Sequence, residues 1–402
     1  MKEVQTISLG EIMAKKSGSV DPSKFHDEVF DLYSIPAFNS RQPEVLAGKL
    51  IGSTKQIVQP SDVLLSKIVP HIRRSWIVGE SRGRRIIASG EWIVFQSEKI
   101  HPEYLRHVLV SDPFHSKFMS TVSGVGGSLL RARPEFVAKI KIPLPPLPEQ
   151  KRIADILDRA EALRAKRRAS LAQLDELIQS IFIELFGDPM KNPKGFNVVK
   201  LSEVSEVSSG LTLNSQRSSK KENLFPYLRV ANVFRNKLDL SEIKYIHLSD
   251  SETDRYMLKK DDVLIVEGHG NIEEIGRAAV WKEEIANCAH QNHIIKARLA
   301  ENYIRPYFVS YFLNMYGNTG YFYFKSRTTS GLNTISTNKV RDVEIFLPPI
   351  DLQLKFEKIV LEIEKRQQSQ QQSLLEINNL FASLTHEAFA GKLFSHNLLS
   401  DK

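Results

Sequence analysis

The sequence predicts an α+β molecule in which two unlike globular domains, each of mixed α/β character, are separated by two long antiparallel helices that form a coiled coil. An internal pseudo-twofold should relate the halves. Three observations predict this: a chain too long for one compact core, a repeat held at one offset, and two stretches of about 38 residues without Gly or Pro that carry an apolar stripe.

At 402 residues, two domains are expected from size. With 42% hydrophobic and 25% charged residues, and only 20 Gly and 18 Pro, the composition excludes collagenous, disordered and low-complexity classes. A single cysteine, Cys288, excludes an intramolecular disulfide and a thiolate cluster, as fits a reducing cytoplasm. The amino-terminal segment has no apolar core of a signal peptide, and no run of 18 apolar residues occurs, so no membrane role is expected. A net charge of +8 favours a polyanionic partner without naming one.

The repeat is clearest where IPLPPLPEQKRI, from Ile142, matches IFLPPIDLQLKF, from Ile345. Pro145-Pro146 align with Pro348-Pro349, and the same offset pairs Gln150 with Gln353, Ser170-Leu171 with Ser373-Leu374, Leu177 with Leu380 and Phe186 with Phe389. Looser matches lie upstream: Leu9-Gly-Glu-Ile12 with Leu201-Ser-Glu-Val204, Gln59 to Leu65 with Lys259 to Ile265, Ile100 to Tyr104 with Ile304 to Phe308, and Ser123-Gly124 with Ser330-Gly331. Each half is thus a variable globular part followed by a well-matched segment. The expected boundaries are a first domain at 1–147, a first helix at 148–187, a second domain at 188–350, a second helix at 351–392 and a tail at 393–402.

Pro148 suits a first helical turn, and Gly187-Asp188-Pro189 ends the first run. The apolar seam of the first helix is Ile153, Leu157, Leu171, Leu174, Ile178 and Ile181; that of the second is Phe356, Val360, Leu374, Ile377, Phe381 and Leu384. Arg164 and Arg167 interrupt one seam where Gln367 and Gln370 interrupt the other, and such polar layers can fix register. A rod of about 57 Å would follow from 1.5 Å per residue. The competing reading is that each helix packs on its own domain as an ordinary core element.

The two helical segments are together slightly acidic, so the positive excess lies in the variable parts, where a phosphate-tracking surface would need it. The densest cluster of the first domain holds Arg73, Arg74, Arg82, Arg84 and Arg85, whose forks suit guanine edges or phosphates. In the second domain the DNA-binding candidates are Arg217, Lys220, Lys221, His269, Asn271, Lys325 and Arg327. Gly268-His269-Gly270-Asn271 can present two side chains to base edges or be simply a tight turn.

Catalytic signatures are missing. Gly48-Lys49 and Gly391-Lys392 are both followed by Leu, so neither ends a phosphate loop, and no intact Gly-x-Gly-x-x-Gly fingerprint follows a strand. The Pro-Pro pairs stand in Leu-Pro-Pro contexts, unlike an amino-methyltransferase tetrapeptide. Cys288, His290 and His293 offer three ligands, but structural zinc takes four at a more regular spacing, and no metal is expected.

The Leu-Pro-Pro-Leu/Ile segment, with Glu149-Gln150 entering a long helix after each of two dissimilar domains, resembles the specificity subunit of Type I DNA restriction-modification enzymes. Gln291-Asn292-His293 also resembles a recurring motif of that family's recognition domains, whereas the first domain has Gly90-Glu91-Trp92 near the equivalent place. The resemblance implies a non-catalytic reader of double-stranded DNA. Each domain would bind half of an interrupted target, and the helices would set the gap and dock modification (methyltransferase) subunits. S-adenosylmethionine, ATP and Mg would act in those partners and in ATP-driven restriction subunits, none of them in this chain. The alternative is a self-contained nuclease with an unrecognised site; a weaker one is a scaffold binding acidic proteins.

Overall fold

A computed structural model describes residues 5–14, 18–123, 130–213, 222–317, 322 and 333–389. The expected tail at 393–402 lies outside them, as do Arg217, Lys220, Lys221, Lys325, Arg327 and Ser330-Gly331. The chain forms two compact units, Met1–Arg168 with Gln372–Lys402, and Ala169–Gln371.

Two helices of forty residues each, Leu147–Phe186 and Ile350–Phe389, occupy the matched segments. The division between the units falls inside both, so each unit holds part of each helix. The first helix stops at Gly187, whose φ of 84° is left-handed and whose amide bonds the Ile183 carbonyl at 2.8 Å. A Cβ there would sit 2.4 Å from Pro193 Cγ, so glycine is required by space as well as by conformation.

In the first unit the strand Val63–Ser66 lies between Ser75–Ile77 and Trp92–Phe95. A second sheet has five strands in the order Ser19–Val20, Lys55–Ile57, Arg85–Ala88, Val29–Tyr33, Glu44–Ala47. Thr6–Ser8 pairs antiparallel with Lys141–Pro143, bringing the two ends of the globular part together just before the helix begins. The core joins Leu9, Val63, Leu65, Phe95, Tyr104 and Leu105 to Ile153 and Leu157 of the first long helix and to Ala388 of the second.

The second unit repeats this frame. Val263–Val266 lies between Ala278–Val280 and Ile294–Leu299, with Ser205–Ser209 at the edge beyond. Asn197–Lys200 pairs antiparallel with Glu344–Leu347, as Thr6–Ser8 does with Lys141–Pro143. The helix Pro306–Gly317 stands where Pro102–Val110 stands in the first unit, each after the matched Ile-x-Pro run. A cluster of fully buried rings, Phe182, Phe186, Phe308 and Phe356, fastens both long helices to this core, with centroids 4.9–5.8 Å apart.

Sequence-level matches become identical turns. Ser61 and Asp261 both adopt a left-handed φ, 71° and 69°, immediately before Asp62 and Asp262. The Asp62 carboxylate accepts from the Gln59 amide at 2.8 Å and that of Asp262 from the Lys259 amide at 2.7 Å, each reaching back three residues to close the same turn.

The seam is buried at the start of each helix and at Ile178, and half-buried elsewhere. Ile153, Leu157, Ile178, Phe356 and Val360 are buried, whereas Leu171, Leu174, Ile181, Leu374, Ile377, Phe381 and Leu384 are half-buried. In the second unit the segments run antiparallel: Phe182 meets Phe356, and one row of turns earlier Asp175 Oδ1 accepts from Gln367 Nε2 at 2.6 Å. Packing on the domains and pairing of the helices therefore coexist within each unit, where the sequence had set them as alternatives.

Candidate nucleic-acid interface

Part of each group of candidates lies on the same segment of the repeated frame. Arg73 and Arg74 are on the loop leading from Val63–Ser66 to Ser75–Ile77; His269 and Asn271 are on the segment leading from Val263–Val266 to Ala278–Val280. Two antiparallel buried strands force a connection at the sheet end, and the polar sequence of that connection leaves it at the surface.

The charges of the first cluster are not equally available. Arg73 Nη1 lies 2.5 Å from Asp112 Oδ1 and also donates to the Val110 carbonyl at 3.2 Å. Arg84 Nε reaches the buried Asp31 at 2.7 Å. Arg85 grips Glu28 through two bonds of 2.6 and 2.5 Å and stacks over Phe25 and Phe30; the Glu28 bond pushes its pKa up. Arg82 is exposed on the turn at Gly83, whose φ is 79°. Arg74 differs from all of them: its Nε and Nη1 are shielded from solvent and have no partner among the described residues.

In the second unit Asn271 is committed locally. Its side chain accepts from the Glu273 amide at 3.0 Å, capping the turn Ile272–Glu274, and its own amide donates to His269 Nδ1 at 3.0 Å. That fixes His269 with Nε2 as its outward nitrogen. The tight-turn reading therefore accounts for Asn271, while His269 keeps one ring nitrogen for a ligand.

The Cys288, His290 and His293 trio does not assemble as a ligand set; the only such group among the described residues is elsewhere. Burial pushes the Cys288 thiol up to about 12. His290 is fully buried, donates Nδ1–H to the Ile294 carbonyl at 2.9 Å, and is held at about 3 by burial first and then by Lys296. His293 stands apart, half-exposed, with Nδ1 3.0 Å from Glu267 Oε2.

Among the described residues the one cluster with metal-ligand chemistry, His107, Asp158 and Glu161, already holds a cation. Arg106 contacts Asp158 at 2.5 Å, Glu161 at 3.1 Å and Glu103 at 2.8 Å, and its Nη2 lies 2.9 Å from His107 Nε2. Burial, then Arg106, lowers His107 to about 4, and its Nε2 lies 2.9 Å from Asp158 Oδ1 as well as from the guanidinium. The guanidinium takes the place an ion would need.

Sequence reasoning missed two features. Glu91, Arg131 and Glu267 become neighbours of the reading loops only through strand register. Gln150 and Gln353, visible as matched letters, turn out to be fully buried joints at the base of each helix.

The chain matches the model of the family described as Type I restriction modification DNA specificity domain over residues 1–174 and 193–379. It is 25% identical over 319 residues to the specificity subunit of type I restriction enzyme EcoKI of Escherichia coli K12, covering 75% of this chain and 68% of that one. To the StySPI specificity subunit of Salmonella potsdam it is 24% identical over 372 residues, covering 87% and 78%. Among solved structures, a chain studied for complex assembly and conformational transition of the type I R-M system aligns with a TM-score of 0.61 at 20% identity over 98% of this chain and 99% of its own. The S subunit of a Type I restriction-modification system from M. genitalium aligns at 0.58 and 12% identity, over 97% of both chains. At such identities the solved structures speak for the fold alone, which is two-domain and mixed in helix and sheet.

Proposed function

Because the chain belongs to the Type I restriction modification DNA specificity family, we infer that it is the DNA-recognition subunit of a Type I restriction-modification complex and has no catalytic role of its own. The observation that carries this reading is the family match through both repeats, together with the paired placement of polar reading loops on one repeated frame. Each unit reads one half of an interrupted target in duplex DNA. The paired long helices set the gap, and modification subunits dock on them; pseudo-twofold symmetry of the chain suits a pair of such partners. The bonds Arg164–Asn378 and Gln367–Asp175, which the repeat offset relates to each other, support the symmetric coiled coil. Base flipping and methyl transfer from S-adenosylmethionine belong to the modification subunits, and ATP and Mg to restriction subunits.

The nuclease alternative has no support. The curated relatives are named specificity subunits, and among the described residues the one acid-rich cluster encloses Arg106. The proposal is tested by assembling the chain with its modification subunits and mapping methylation on genomic DNA by sequencing. An interrupted sequence with two constant halves is expected. DNA cleavage by the purified chain with magnesium alone would overturn the reading.

A further inference from the structure

The two units place one side chain each at the same point of the repeated frame. In the first, the Lys67 amide, just past Val63–Ser66, donates to the Glu91 carbonyl at 3.0 Å, and the Lys67 carbonyl accepts from the Ala132 amide at 2.8 Å. In the second, the Glu267 amide, just past Val263–Val266, donates to the His293 carbonyl at 2.9 Å, and the Glu267 carbonyl accepts from the Ile335 amide at 2.8 Å. Glu91 directly precedes the strand Trp92–Phe95, as His293 directly precedes Ile294–Leu299. Three chain segments thus cross in the same way in both units, beside the loops that carry Arg74 and His269.

On this shared backbone the side chains differ in hydrogen-bonding character. Glu91 takes Arg131 Nη2 on Oε1 at 2.9 Å; its Oε2 is shielded from bulk water and has no donor among the described residues. Arg74, on the adjacent loop, leaves Nε and Nη1 equally shielded and unmatched. Glu91 nevertheless keeps 28% of its side chain exposed at this crossing. His293 is 41% exposed, and Glu267 holds its Nδ1, which orients the ring and leaves Nε2 for a ligand.

We propose that Glu91 and His293 are the equivalent base-reading residues of the two units, Glu91 taking an amino-bearing base edge on its part-exposed carboxylate and His293 meeting its base edge through Nε2. The inference rests on the DNA-recognition reading above and deepens it. In the major groove an acceptor carboxylate meets cytosine N4 or adenine N6. A duplicated frame holding unlike side chains at one position is a direct route to two unlike half-targets from one architecture.

The test uses the chain assembled with its modification subunits, mapping methylated sites for the parent, Glu91→Gln and His293→Gln. Glu91→Gln should change the preference at one position of one half-target by about fivefold or more, leaving the other half and the gap unaltered; His293→Gln should do the same in the opposite half. Both substitutions spare the backbone carbonyl that bonds the strand end, and thermal unfolding of each complex checks that the fold persists. Glu91→Asp, which retains the charge facing Arg131, replaces Glu91→Gln should that variant not assemble. Unchanged preferences in assembled variants, whatever their overall rate, would overturn the proposal. A parent complex that methylates no interrupted sequence would instead overturn the DNA-recognition reading itself, so the two failures are distinct.

Discussion

Gln150 and Gln353 have no solvent exposure, and each satisfies its amide completely. Gln150 accepts from the His101 amide at 2.7 Å and donates to the carbonyls of Lys99 and Pro145 at 3.2 and 2.8 Å. Gln353 accepts from the Arg305 amide at 2.8 Å and donates to the carbonyls of Tyr303 and Pro348 at 3.2 and 2.8 Å. Each glutamine ties the start of a long helix to the start of the domain helix beside it. Gln150→Ala strands three backbone groups in a dry site, and at about 1–3 kcal/mol for an unsatisfied group with partial relief by water it should cost about 2–4 kcal/mol. Urea denaturation measures this, and Gln353→Ala should cost as much in the second unit; a loss under 1 kcal/mol would show that the network is dispensable. A pH effect belongs at this scale too. The folded His290 stays neutral down to about pH 3, whereas the unfolded imidazole takes its proton near 6.5. Between those values the unfolded chain binds more protons, so stability is level above pH 6.5 and falls as pH drops toward 3. His290→Asn retains a donor for the Ile294 carbonyl and should flatten that part of the profile in pH-dependent chemical denaturation; an unchanged slope would contradict the burial argument. The sequence made both glutamines visible as matched letters, but not their role, because their partners at positions 99–101 and 303–305 are distant in the chain. His290 was legible only as a possible ligand, since burial is a tertiary property.

At the scale of the element, the seven-residue stripe runs along residues that are buried or half-buried but understates the helix ends. Phe182, Phe186 and Ala154 are buried although they lie off the heptad rows, because the terminal turns face a domain core as well as the partner helix. Near the middle, the polar interruptions behave in an orderly way. Arg164 Nε donates to Asn378 Oδ1 at 2.7 Å while its guanidinium lies 4.4 Å from the Phe381 ring centroid, and Gln367 bonds Asp175 at the equivalent place. Arg167 Nε and Gln370 Oε1, also equivalent, are both shielded with no partner among the described residues. The register idea from the sequence thus gains partners it had not named: Asn378 and Asp175, not the opposing Gln and Arg. Magnitudes separate the roles. Phe182→Ala removes a ring wholly buried among three others and should cost about 3–5 kcal/mol. Asn378→Ala, which leaves the cation over its ring, should cost only about 0.5–1.5 kcal/mol. Comparative urea titrations test this order, and an Asn378→Ala loss as large as that of Phe182→Ala would mean that the polar layer, not the apolar ends, holds the pair together.

For the whole molecule, the matched segments, not the variable parts, carried most of the legible information: a fixed repeat offset needs no knowledge of loop geometry, whereas the motif resemblance put Gly90-Glu91-Trp92 only near the place of Gln291-Asn292-His293, and strand register was needed to set Glu91 and His293 beside equivalent amides. The proposed spacer role makes a quantitative prediction from that same repeat. Residues 168–174 and 371–377 are related by the offset and lie midway along the two long helices. Removing both heptads keeps the seam in phase, because the apolar period is itself seven. Each helix then loses about 10 Å at 1.5 Å per residue, equal to about three base pairs at 3.4 Å each. The gap of the methylated target should shorten by about three base pairs while both half-sequences stay the same, read by methylation mapping with the assembled complex. A shortened chain that assembles and methylates with its original gap would refute the spacer. Exchange of residues 1–141 for those of a relative provides the complementary case, altering one half-sequence and leaving the gap untouched; a change in both halves would mean that recognition is shared between the units and that no helix length alone can set it.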